Sequence, residues 1–231
     1  MTVETGTLFI VSTPIGNLGD ITFRAVETLQ SVSLVAAEDT RHSKKLFSHY
    51  KIHKPMISYY EHNKFTRIPI IIDQLLNGND IAVISDAGTP GISDPAYKLI
   101  RVAIKENITI ESIPGVSASL AALISSGLPT DRFIFEGFLP PKKGRKSRIS
   151  NIKDEKATII LYESPKRLKR TLKDLLEILG DRPAVVSREL TKLHEEIKRG
   201  TLSELLSYFT AKTPRGECVI LIGKYDQNVY F

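Results

Sequence analysis

Two loops of this chain contain the residue types that let a backbone approach a ligand closely. The first is Ser12-Thr13-Pro14-Ile15-Gly16-Asn17-Leu18-Gly19-Asp20, and the second is Ser85-Asp86-Ala87-Gly88-Thr89-Pro90-Gly91-Ile92-Ser93-Asp94-Pro95. Glycine and proline shape such turns while keeping bulky side chains out of the way. A third stretch, Glu38-Asp39-Thr40-Arg41, sets two carboxylates and a guanidinium directly after an apolar run, a place from which acid and base groups reach a cleft. The same residues would equally serve as a helix N-cap with a flanking ion pair.

Several familiar chemistries lose their main support. The loops hold Gly16-x-x-Gly19 and Gly88-x-x-Gly91, with neither the Gly-x-Gly-x-x-Gly dinucleotide fingerprint nor a Lys-bearing phosphate loop. Gly115-Val116-Ser117-Ala118-Ser119 lacks the second glycine of a nucleophile elbow and reads better as a helix start packed on its strand. His42, His49, His53 and His62 stand among Lys44, Lys45, Lys51 and Lys54, which disfavours a metal cation and suits a solvated or RNA-facing surface. No metal site is expected.

The elements that must position these residues follow from the apolar pattern. Short β-branched runs at residues 8–11, 34–37, 81–84 and 108–113 read as strands buried on both faces. Helix-length stretches at 21–32, 40–50, 63–77 and 94–107 alternate with them, the first opened by Asp20 as N-cap. That alternation predicts a largely parallel sheet covered by helices. A second series begins after Pro114-Gly115, with a small-residue helix at 117–126 and strands at 132–138, 158–162, 184–188 and 218–222. Helices at 165–179 and 202–209 separate the later strands. Two α/β domains are expected, residues 1–116 and 117–231.

The chain has 231 residues, 42% of them hydrophobic and 25% charged, which is globular composition. Its single cysteine, Cys218, lies in an apolar run and reads as a core residue in a reducing, cytoplasmic setting. No apolar stretch approaches the roughly 20 residues that cross a bilayer. Thirty-two Lys and Arg against 26 Asp and Glu give a formal charge of +6. The excess is concentrated at residues 142–148, Lys-Lys-Gly-Arg-Lys-Ser-Arg, expected as an exposed arm, and at Lys166, Arg167, Lys169, Arg170 and Lys173. Such patches favour a nucleic-acid partner, with Tyr59, Tyr60 and Phe138 as possible base platforms.

Ser-Thr-Pro-Ile-Gly-Asn-Leu-Gly-Asp-Ile-Thr, Ala-Glu-Asp-Thr-Arg, Ser-Asp-Ala-Gly-Thr-Pro-Gly-Ile-Ser-Asp-Pro, Ile-Pro-Gly-Val-Ser-Ala and Tyr-Glu-Ser-Pro occur in this order along nearly the whole chain. The series resembles the tetrapyrrole methylase family, specifically its ribosomal RNA branch. The first loop departs from the Gly-Ala-Gly-Pro-Gly-Asp string of the porphyrin-modifying members, which favours RNA over a tetrapyrrole. The resemblance implies a homodimer of two-domain α/β chains with S-adenosylmethionine in the cleft between the domains. It also implies methylation of a cytidine ribose 2′-oxygen in the decoding region of 16S rRNA, with the rRNA held within the small ribosomal subunit. A small-molecule methyltransferase of the same family and a non-catalytic RNA-binding protein are the rival readings.

By the same resemblance the cofactor falls to Pro14, to Ser85, Asp86, Ala87 and Gly88, and to Ser117 and Ala118. Tyr162, Glu163, Leu190 and Gly216 complete the set. A ribose hydroxyl is a poor nucleophile and needs a proton acceptor. Glu38 or Asp39 is the expected base, with Arg41 and Lys166 as phosphate or oxyanion partners and Arg188 and Glu189 as competing candidates.

Overall fold

Alternation of side chains along five short strands gives the first half of the chain two buried layers. The computed structural model describes residues 4–212 and 214–224. It divides into two compact units, Met1–Ser117 and Ala118–Phe231. In the first unit, β1 (Leu8–Val11), β2 (Leu34–Ala37), β3 (Met56–Ser58), β4 (Ile81–Ile84) and β5 (Ile110–Ile113) form a parallel sheet in the order β3-β2-β4-β1-β5. The helices are α1 (Phe23–Ser31), α2 (Thr40–His49), α3 (Lys64–Leu76) and α4 (Ala96–Lys105).

Leu8, Ile10, Ile81 and Val83 pack with Ile71 and Leu75 of α3 and Leu99 of α4. Their strand neighbours Val11, Val35, Ala82 and Ile84 pack with Leu29 of α1 and Leu46 and Phe47 of α2. Each fully buried Leu, Ile or Val side chain contributes about 1.5–3 kcal/mol, so both faces are strongly specified. The connection from β1 to β2 passes β4, and that from β4 to β5 passes β1 in the opposite direction. The chain therefore leaves β1 and β4 toward opposite faces of the sheet, from its carboxyl edge, where open α/β sheets bind ligands.

Three details of this unit differ from expectation. Thr22, whose side chain accepts from the Ala25 N–H at 3.1 Å, caps α1 in place of Asp20, which ends a single 3-10 turn at Leu18–Asp20. The fifth strand begins at Ile110 and is not buried on both faces: it lies at the sheet edge with Glu111 and Ser112 exposed. Strand β3 is too short, at three half-buried residues, to leave a pattern. Helix α2 ends at His49, so His49 and His53 do not share a helical face, and no cluster of potential metal ligands occurs among the described residues.

The second unit holds α5 (Ala118–Ser126), β6 (Phe133–Phe138), α6 (Arg145–Asn151), β7 (Thr158–Glu163), α7 (Pro165–Leu179), β8 (Pro183–Arg188), β9 (Glu196–Thr201), α8 (Leu202–Ala211) and β10 (Cys218–Ile222). Its sheet runs β6-β7-β10-β8-β9, parallel between β6 and β7 and antiparallel elsewhere. Leu168, Leu172 and Leu175 of α7, Leu205 and Phe209 of α8 and Ile149 of α6 cover one face. Strand β9, Glu-Ile-Lys-Arg-Gly-Thr, went unread because an edge strand can be charged and still pair.

The basic stretch 142–148 is not a free arm. From Arg145 onward it is helix α6, and Arg145 is 2% exposed. Its guanidinium donates to Asp174 Oδ2 at 2.6 Å, to Thr171 Oγ1 at 2.6 Å and to the Pro140 carbonyl at 3.4 Å. Arg148 pairs with Glu136 at 2.5 Å, leaving Lys142, Lys143 and Lys146 as the exposed cations without a described ion pair.

Candidate active site

Loops from four strand ends of the first unit are tied together at its carboxyl edge. Thr13 and Gly88 exchange backbone hydrogen bonds of 2.9 and 3.0 Å, joining the loop after β1 to the loop after β4. Thr13 Oγ1 also donates to the Ser85 carbonyl at 3.1 Å, and Ser85 Oγ donates to the Ala87 and Gly88 carbonyls at 3.3 and 3.4 Å. Gly88 sits at φ +79°, a conformation that strains residues carrying a Cβ, so glycine there lets the loop fold back onto Thr13. Thr89 Oγ1 takes a hydrogen bond from Ser12 Oγ at 3.2 Å and donates to the Val116 carbonyl at 3.3 Å, adding the segment after β5. Pro14 is buried beside this junction, whereas Ala87 is exposed at the tip.

The segment after β2 joins through carboxylates. Asp86 Oδ1 accepts from the Asp39 N–H at 2.9 Å, and Glu38 Oε2 accepts from the Asp86 N–H at 3.3 Å. This reciprocal arrangement brings Glu38, Asp39 and Asp86 together. Burial pushes the Glu38 carboxyl above its ordinary value of 4.5; the Asp86 N–H opposes that, and the charges of Asp86 and Asp94 add to it. Burial likewise raises Asp94, whose carboxylate accepts from the Gly91 N–H at 2.8 Å and the Ala96 N–H at 2.9 Å.

Asp39 is in the opposite situation. It caps α2 by accepting from the Arg41 N–H at 2.8 Å, and its carboxylate is clasped by the Arg41 side chain at 2.8 and 3.1 Å. Those bonds hold Asp39 well below the usual carboxylate range. Of the two acids, Glu38 is the better proton acceptor because its charged form is the less stabilised.

The second unit places its residues differently. Ala118 begins α5, and Tyr162 Oη accepts from the Ser119 N–H at 3.2 Å, so Tyr162 caps this helix while its ring packs edgewise on Phe135 and Phe138. Glu163 has a buried carboxylate that accepts from the Ser164 N–H at 2.7 Å, Arg167 Nε at 2.7 Å and Thr171 Oγ1 at 2.6 Å. With Arg145 and Asp174 it forms a buried ionic network that sequence spacing did not reveal. Lys166 is exposed on the first turn of α7.

Arg188 pairs with Glu196 at 3.1 Å and donates to the Arg215 carbonyl at 2.8 Å. Glu189 pairs with Lys192 at 3.0 Å and accepts from the Glu217 N–H at 3.1 Å, and Leu190 is buried. At Gly216, φ is +76° and an added Cβ would fall 2.1 Å from the Glu189 carboxyl, so the two residues are packed as a unit. Cys218 is buried and its thiol is pushed up to about 12 chiefly by that burial, which leaves it unreactive. Tyr59, with 2% exposure and its hydroxyl donating to the Pro95 carbonyl at 2.9 Å, cannot stack on a base; Tyr60 and Phe138 remain exposed.

An open parallel sheet with locked loops at its carboxyl edge is thus followed along the chain by a mixed sheet. The chain belongs to the Tetrapyrrole (Corrin/Porphyrin) Methylases, whose family model matches residues 7–206. It is 53% identical over 226 residues to a "Ribosomal RNA small subunit methyltransferase I" from Synechocystis, covering 96% of this chain and 81% of that one. A Thermotoga maritima protein of the same name is 49% identical over 220 residues, covering 95% and 99%. Among solved structures, uroporphyrin-III-C-methyltransferase from Thermus thermophilus shares the fold with a TM-score of 0.68 at 18% identity, covering 95% and 94%. No described helix is long and apolar enough to cross a membrane.

Proposed function

We propose that the protein uses S-adenosylmethionine to methylate the 2′-oxygen of a cytidine ribose in the decoding region of 16S rRNA, acting as a cytoplasmic homodimer on the small ribosomal subunit. Relatives of about half identical sequence carry the name of a small-subunit rRNA methyltransferase. The observation that carries the chemistry is the Glu38 carboxylate, half buried and tied to the Asp86 loop at the carboxyl edge of a methylase fold.

The edge suits a cationic donor. Glu38, Asp86 and Asp94 concentrate carboxylates around an exposed loop tip at Ala87. Pro14, Ser85, Asp86, Ala87, Gly88 and Ser117 are the first-unit residues that would hold the donor; the family resemblance adds Ala118, Tyr162, Glu163, Leu190 and Gly216. When bound, the donor supplies a methyl group already activated by its sulfonium. The chain's own residues then fix a ribose oxygen in line with that methyl and remove its proton. Positioning of this kind can supply up to about 7–11 kcal/mol.

Glu38 accepts the hydroxyl proton on its carboxylate, a task aided by its raised pKa. Arg41 and Lys166, both exposed, bind backbone phosphates. Arg188 and Glu189, already engaged by Glu196 and Lys192, leave Glu38 as the base that this reading selects. Mapping ribose methylation on 16S rRNA from cells with and without the protein tests the proposal. Loss of one 2′-O-methylcytidine in the decoding region is expected, and an unchanged map would overturn it.

A further inference from the structure

The amino ends of β6, β7 and β8 border a cleft of about 790 Å³ in the second unit, at the opposite end of β7 from Glu163. Strand β7 spans six residues, about 17 Å, between this edge and Glu163. The charged lining of the cleft sets Arg132, Lys153, Lys156, Arg182 and Lys224 against Asp131, Asp154 and Glu155. Glu155 is already occupied: it pairs with Arg132 at 3.4 Å and accepts from the Lys156 and Ala157 N–H groups at 2.8 Å each.

Arg182 is the unusual member. It is 4% exposed yet lines the cleft, which makes it part of the floor. Its Nε donates to the Leu179 carbonyl at 3.2 Å and its Nη2 to the Lys153 carbonyl, while its Nη1 is buried without a hydrogen-bond partner. A buried guanidinium nitrogen lacking a partner costs more than an ordinary surface charge, and native structures retain few such groups. Asp154 supplies an opposing charge but accepts no hydrogen bond from Nη1. Lys153 and Lys156 stand exposed on the segment that leads into β7.

We propose that this cleft is a second ligand site, specific for a phosphate group, with Arg182 at its floor and Lys153 and Lys156 at its mouth. Arginine offers a planar set of donors that matches phosphate oxygens, and the two lysines add charge without fixed geometry. The phosphate is carried either by a free mononucleotide or by an RNA backbone, and the cleft is large enough for more than the phosphate alone. The site does not depend on the methylation reading.

The test is calorimetric titration of the full chain with inorganic phosphate, with AMP and with a short single-stranded RNA. It is repeated on the Lys153→Ala/Lys156→Ala double variant and on Arg182→Gln. The double variant alters exposed side chains and keeps the test valid if Arg182→Gln fails to fold. Phosphate or AMP binding weakened at least tenfold by the double variant assigns the site to a free ligand. Binding of RNA alone, weakened to the same degree, assigns it to the nucleic-acid backbone. If none of the three binds, or if binding is indifferent to both variants, the cleft holds water only and the proposal is wrong. S-adenosylmethionine titrated in parallel is expected to bind all folded variants equally, which separates this outcome from failure of the methylase site.

Discussion

Replacing Glu38 with glutamine isolates the proton-accepting role from the structural one. Glutamine keeps an oxygen that can accept from the Asp86 N–H, a bond already long at 3.3 Å, so the loop loses no more than about 1 kcal/mol. It removes the base, whose contribution is on the order of 10²–10⁴-fold, or about 3–5 kcal/mol of transition-state stabilisation. The sign of the stability change also follows. Burial raises the folded-state pKa of Glu38, so its favourable contribution is complete below the ordinary value of 4.5 and is lost as pH rises through the raised value. At neutral pH the ionised group is a net cost, and Glu38→Gln leaves the melting temperature unchanged or higher. Single-turnover methyl transfer to small subunits, with donor affinity measured separately, is the assay. The wild type should show an acid limb above pH 4.5 that the variant lacks. A variant retaining more than a tenth of the wild-type rate would refute the assignment.

Other consequences can be checked more briefly. Arg145→Ala leaves Asp174 and Glu163 without their buried partner and should cost about 3–5 kcal/mol in urea unfolding; a loss below 1 kcal/mol would show the network to be dispensable. Neutralising Lys142, Lys143 and Lys146 should lower the log–log salt slope of RNA binding by as much as about 2, at roughly 0.7 per phosphate on a single strand, with donor affinity intact. Glu196 is held at about 2: burial works against its charge, but Lys212 and Tyr208 at 2.6 Å and Arg188 at 3.1 Å outweigh it. Its stabilising contribution is therefore present above pH 4.5 and lost between about 4.5 and 2, and Glu196→Gln should flatten acid unfolding in that window. Gly216→Ala should lower the melting temperature, because the new Cβ displaces the Glu189 carboxylate and sits at positive φ; an unchanged melt would contradict that packing.

The parts of the fold that were legible in the sequence are those where burial is continuous. Strands β1, β2, β4, β7, β8 and β10 are nearly all buried, and their apolar runs mark them within a residue or two. Strand β9 and helix α6 were not legible because polar and charged residues dominate them, and only tertiary pairing explains them. Arg145 shows why: five cations within seven residues look solvated, yet one is buried by carboxylates 18 and 29 positions onward. At the candidate site the loops and Glu38 were visible from position after a strand. The cross-ties between Asp86 and Asp39, and between Glu38 and Asp86, span 47 and 48 residues and leave no local trace. Asp39 and Glu38, adjacent and chemically alike in sequence, are separated only by what surrounds them.

The most direct test of the account is transfer of methyl-labelled S-adenosylmethionine by the purified protein to small ribosomal subunits that lack the modification, followed by digestion of the 16S rRNA to nucleosides. Label recovered in 2′-O-methylcytidine is the result expected. Label on a nucleobase, or no label in RNA under conditions where the donor binds, would contradict it.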